Sequence, residues 1–230
     1  MFNDLQTPPN TTQLAWLLPY QQAQDIHDRL YCSDVAYMSP DDRCVILVLL
    51  MAKYLTNIQA DMFTSNNAVT TGKRVTDILI TSTSILTAMK VSISERLEKI
   101  GVPDTVTNET GLMQWLDRNY VFELGPNNPA AVNDVYDRNM QFAIAMPVQM
   151  HKAIEAIECI KLMQPSTNAR AVLVNACMHL WIQCVICHTR HHHRSFVQDI
   201  IERMHEVESK SIHSQSFGFF PNYTLERLYR

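Results

Sequence analysis

The chain has 230 residues, a net charge of −4 and only five glycines, about 2% against roughly 7% in ordinary proteins. Glycine supplies the φ > 0 conformations of tight hairpins and phosphate loops. Neither G-x-G-x-x-G nor G-x-x-x-x-G-K-[ST] occurs, which excludes dinucleotide-binding and P-loop folds. Hydrophobic residues make up 47% and suffice for a core. Charged residues are 18%, below the usual roughly 25%, so the surface is weakly charged and inclined to self-association. No global field draws such a chain to nucleic acid or to an anionic membrane.

The pattern is helical nearly throughout and predicts an all-α fold. Pro19 suits a helix start, and Ile26 and Leu30 recur on one face of a helix to about Tyr31. Ser39-Pro40-Asp41-Asp42 combines a cap, a proline at the first helical position and acids in the first turn. A helix to about Phe63 follows, with Cys44, Leu47, Met51, Leu55 and Ile58 as its apolar stripe, and residues 64–72 read as a polar loop. Residues 73–100 read as one long helix closed by Gly101. Its β-branched residues leave strand open for part of it, but Ile78, Ile85, Met89 and Ile93 recur at helical spacing.

A short helix is predicted over 109–119, a loop over 120–128 and a helix from Asn128-Pro129 to about Ala145. Pro147 then restarts or kinks the chain before a helix over 148–163. Residues 168–188 form the most apolar helix, with Leu173, Ala176, Cys177, Leu180, Cys184 and Cys187 on one stripe, and read as the central core helix. A last helix covers 195–209. The organisation expected is a single compact multi-helix domain over 14–211, with an N-terminal arm at 1–13 and an aromatic C-terminal tail at 212–230. The longest apolar run, Val45 to Ala52, is too short to span a bilayer, and the first residues lack the basic and apolar regions of a signal peptide.

The densest chemistry lies between Cys184 and Arg194. Cys184, Cys187 and His188 spell C-x-x-C-H, the spacing of c-type haem attachment, but such attachment needs an exported chain and an accessible segment. Cys184, Cys187, His188 and His191 are the candidate metal ligands, with Cys177 or His179 only turns further back. On one helix they share a face and cannot close a tetrahedron around one ion without unwinding. The reading preferred is a buried cysteine stripe running into a solvated His/Arg loop, with no cofactor. That loop gains positive charge near about pH 6 and is a weak signal for an acidic or phosphate surface.

Catalytic patterns are absent. Glu155 with Glu158, and Glu202 with His205 and Glu206, fit solvated helix faces, and Glu202/His205 is one E-x-x-H unit where a di-iron bundle needs two. An enzyme is not expected. Twelve methionines read as core filler that also suits adaptable contacts between copies. The six cysteines, Cys32, Cys44, Cys159, Cys177, Cys184 and Cys187, are expected as free buried thiols, with late disulfide formation as the alternative.

The cysteine stripe Cys177, Cys184, Cys187, the run His191-His192-His193 and the aromatic end Phe217-Gly218-Phe219-Phe220 together resemble a nudivirus polyhedrin, the matrix protein of viral occlusion bodies. The likeness is one of general profile. It implies a helical building block, made in the host nucleus or cytoplasm, that packs into a crystalline lattice around virions. It further implies exchange of terminal segments, locking disulfides and release at alkaline pH. The implied partners are other copies of the chain and virions, with no specific nucleic acid and no membrane. His191, His192, His193, Phe217, Phe219, Phe220, Tyr223 and Tyr229 are the candidate assembly contacts. The rival reading is a nucleocapsid-type coat, in which the His/Arg segment would line a groove with Lys73 and Arg74.

Overall fold

In the computed structural model, the described residues are 14–64, 68–120, 135–162, 168–189 and 195–210. The expected arm, the tail, the 121–134 segment with its expected helix start, and His191, His192 and His193 lie outside them. Among the described residues there are nine helices and no strand. These are α1 (Leu17–Tyr31), α2 (Ser33–Ala36), α3 (Pro40–Thr64), α4 (Ala68–Ala88), α5 (Ile93–Lys99), α6 (Glu109–Asn119), α7 (Val135–Lys161), α8 (Ala169–Cys187) and α9 (Phe196–Lys210).

The centre of the fold is α8. Fourteen of its 19 residues are buried, on every side of the helix, so it needs neighbours all round. It packs against α7, α4 and α6, while α3 packs along α4 and α7. α1 and α9 lie outside α4, and α1 also touches α5. One continuous core runs from Leu14 to Met204, with Trp181 and Phe196 edge-on at 5.7 Å.

Local chemistry explains most boundaries. Ser39 Oγ accepts from the Asp42 amide at 3.2 Å and donates to the Asp42 carboxylate at 2.6 Å, so the predicted cap of α3 forms. Buried hydroxyls on α4 bond back to their own helix: Thr76 donates to Gly72 O, Thr81 to Asp77 O and Thr83 to Leu79 O. That satisfaction keeps a β-branched segment helical. Asp41 pairs with Arg170 at 2.8 Å and Asp42 with Lys161, which ties the start of α3 to the start of α8 and the end of α7.

Three expectations change, and the inward face of α1 comes into view. The helix predicted over 73–100 is two helices, α4 and α5. The break is a helix end in which the Val91 amide donates to Leu86 O and the Lys90 amide to Thr87 O, both at 2.9 Å, with Lys90 at φ 56°. Ser92 then caps α5 through the Glu95 amide at 3.3 Å. The stretch expected as a polar loop over 64–72 is largely helix, with Gly72 inside α4. Pro147 lies inside an unbroken α7, where packing on α8 and α3 outweighs the lost backbone bond. On α1 the buried face is Leu17, Tyr20, Gln21, Gln24, His27 and Asp28, whereas Ile26 is 45% and Leu30 38% exposed.

Two stretches pass, by length and composition, for membrane-crossing helices. In α8, 72% of the stretch is buried, as befits a core helix; over Pro40–Ala60 in α3 only 33% is.

The same helix-end motif closes α5, where Gly101 takes the left-handed position at φ 94°. Lys90 occupies it with a side chain, at a cost of order 1 kcal/mol. Lys90→Gly is therefore expected to stabilise the fold by about 0.5–1 kcal/mol in a denaturant titration, and an unchanged midpoint would contradict this.

Candidate functional site

The sequence directs attention first to the end of α8. Cys184 and Cys187 are buried free thiols, and a wider, π-type turn at His188–Thr189 ends the helix. His188 is fully buried. Its Nδ1 lies 3.0 Å from the Asp199 carboxylate of α9, and its Nε2 lies 3.4 Å from Thr76 Oγ1 of α4. The ring thus touches three helices, with an oxygen atom beside each of its nitrogens. His179, the more distant candidate, meets the hydroxyl of Tyr120. Among the described residues no group of three His, Cys, Asp or Glu side chains is placed to hold a metal ion.

All six cysteines are free, so the expected free thiols are present and the alternative of disulfides is not realised within the chain. Cys44, Cys177, Cys184 and Cys187 are buried, whereas Cys32 is exposed and Cys159 half-buried, so burial holds for four of the six. Burial pushes the Cys44 thiol up to about 12 and the thiols of Cys177 and Cys184 higher still. These are packing groups, protonated and unreactive. The aromatic candidates Phe217, Phe219, Phe220, Tyr223 and Tyr229 lie outside the described residues.

The acidic groups weighed for catalysis are ordinary helix-face residues. Glu155 meets His151 at 3.2 Å in the open, and Glu202 accepts from Gln198 at 3.2 Å. His205 turns to Glu208 at 3.1 Å, so the E-x-x-H unit does not act as a pair.

Polar side chains gather instead beneath α1 and α9. Asp28, 8% exposed, accepts from Arg43 at 2.8 Å, Ser84 at 2.5 Å and Gln24 at 2.7 Å, which joins α1, α3 and α4. Arg43 also faces Asp25 at 3.6 Å. On α9, Arg203 grips Asp77 of α4 with two bonds of 2.6 and 3.0 Å and Glu206 with a third of 2.8 Å. Burial raises the Asp77 carboxyl, against the opposing bond from Arg203. At its start α9 is held by Glu109, whose carboxylate accepts from the Ser195 hydroxyl and the Val197 amide. Apart from Glu206, none of these groups was singled out by sequence, because each looks like one polar residue on a helix face. The set fastens helices and lacks a nucleophile–base pair over an open cleft.

A groove of about 430 Å³ lies on the outer side of α1, against the α4–α5 turn. Gln21 forms its rigid base. It donates to Thr87 at 3.2 Å and to Val91 O at 2.7 Å, and accepts from the Ile93 amide at 3.2 Å. The chain matches no family model, no curated protein and no solved structure.

Two outcomes test this account. Arg43→Met leaves the buried Asp28 carboxylate without its cation and is expected to cost about 3–5 kcal/mol in a denaturant titration. A loss near that of a surface pair would contradict it. The His27 ring is 3% exposed, and burial holds its pKa below the ordinary value despite the carboxylates of Asp28 and Glu208; His205 and the Met204 carbonyl also face it. The unfolded chain binds that proton near about pH 6.5 and the folded chain only lower, so this group's stability is lost as pH falls below about 6.5. Tm is expected to drop from neutral to mildly acidic pH, and less so in His27→Gln; equal slopes in both proteins would contradict the assignment.

Proposed function

We propose that the chain is a non-enzymatic structural protein that self-assembles into a dense lattice of the viral occlusion-body type. Its partners in that lattice are further copies of itself and the virions enclosed. The observation that carries this reading is the outer face of α3. The Pro40–Ala60 stretch of α3 is apolar enough for a membrane span, yet only a third of it is fully buried, and Leu49 stands 59% exposed beside the half-buried Val45, Ile46 and Ala52. These side chains offer an apolar contact, and the low charge of the chain offers little repulsion between copies. Leu162, at the end of α7, adds a second exposed apolar point at 68%.

Locking disulfides between copies would fall on Cys32 and Cys159, because the other four thiols are buried. Alkaline release would come from groups at contacts. The Tyr20 phenol and the thiols of Cys44, Cys177 and Cys184 are pushed up by burial and stay neutral near about pH 10, so the helical body keeps these groups uncharged. Coating of nucleic acid is less supported: Lys73 pairs with Glu206 at 3.3 Å at the surface and Arg74 donates to Asn57 O, so both already have partners within the chain.

Light scattering of the native protein from about pH 5 to 11, with circular dichroism alongside, tests the reading. Large particles are expected at neutral pH, dispersing near pH 10–11 in reductant with helicity retained, and Leu49→Lys should shrink them. A monomer at neutral pH at every concentration, particles that persist at pH 11 in reductant, or flotation with lipid vesicles would overturn it.

A further inference from the structure

The groove on α1 has features that the lattice reading does not use. Its walls are the exposed Leu18 and Ile26 on α1 and the half-buried Val91 across the turn. Its rim carries Gln22, Ser92 and Lys90. Asp25, also at the rim, is already neutralised by Arg29 at 2.7 Å and by Arg43. Lys90 is exposed and makes no ion pair among the described residues. It holds a left-handed backbone position that glycine holds at the end of α5. A strained non-glycine residue beside a groove points to use of its side chain. The site therefore offers apolar walls, a fixed amide floor and one available cation, in the size range of ligand pockets.

We propose that this groove seats the chain's own C-terminal segment, residues 217–229, with Glu226 against Lys90. Three observations favour that occupant. The segment holds Phe217, Phe219, Phe220, Tyr223, Leu225, Leu228 and Tyr229, and Glu226 is the sole acidic side chain after Lys210. The last described helix ends beside α1: Glu208 lies 4.0 Å from His27. The path from there around α1 and back to Leu18 is one helix diameter, about 10–12 Å, plus nine residues of rise, about 14 Å. The ten residues from Ser211 to Phe220 reach up to about 33 Å. A tether that short gives a high effective concentration within one chain. The N-terminal arm is a poorer fit, with Phe2 and Leu5 as its large apolar residues apart from the initiating Met1. The contact forms whether or not copies assemble, and the same contact made between chains is the exchange that a lattice would use.

Hydrogen exchange on the full-length protein at low concentration tests the proposal. Amides of residues 217–229 are expected to exchange at least about tenfold more slowly than in the free peptide of that sequence. Leu18→Ser with Ile26→Ser, both at exposed positions, should bring them close to the free-peptide rate. Carbodiimide should join Lys90 to Glu226 within single chains when 14N- and 15N-labelled proteins are mixed. Free-peptide exchange in the parent, protection unchanged by the paired substitution, joining of Lys90 to Asp4, or joining only between differently labelled chains would each overturn it. None of these outcomes depends on whether particles form, so this inference and the lattice reading fail separately.

Discussion

A helix with no polar face sets the terms for this fold. α8 buries fourteen of its 19 residues and exposes no continuous stripe to water, so it is stable only when enclosed. α4, α6 and α7 supply the enclosure, and α3 closes the bundle over α4 and α7. The cysteines on α8 follow from this constraint. They are small, apolar fillers in a close-packed interior, and burial raises the thiol pKa of Cys177 and Cys184 and so disfavours the reactive thiolate.

The outer helices are fixed by a different means. α1 and α9 carry fewer apolar residues and are fastened by paired charges: Asp28 with Arg43 and Asp77 with Arg203. Buried pairs contribute modest net stability, but breaking one is costly. Their role here is register. Asp28 reaches α3 and α4 at once, and Arg203 meets Asp77 with both prongs of its guanidinium, so each helix has one angular setting.

The apolar pattern made the helical class, the α3 cap and the core position of α8 legible, because each depends on local spacing. The interruption of the 73–100 stretch was less visible. Its signal, Ser92 followed three residues later by Glu95, is a capping-box pattern, but it sits within an apolar periodicity that runs straight across it. Pro147 misleads in the opposite direction, since tertiary packing along α7 carries the helix through it. Ile26 and Leu30 mark the outward face of α1, whereas its inward face is built from Gln21, Gln24, His27 and Asp28. Polar residues become core only when partners from other helices satisfy them, and a single sequence does not reveal those partners. The neighbours of His188 were hidden for the same reason: Thr76 and Asp199 are distant in sequence.

The functions proposed above accordingly lie at the surface of the helical body, on α3 and in the α1 groove. The central claim is that the Cys/His end of α8 is packing and not a site, and thiol accessibility tests it most directly. In a timed maleimide reaction without denaturant, Cys32 and Cys159 are predicted to be modified, with Cys44, Cys177, Cys184 and Cys187 modified only after unfolding. Modification of Cys184 or Cys187 in the folded chain as fast as Cys32 would contradict the account.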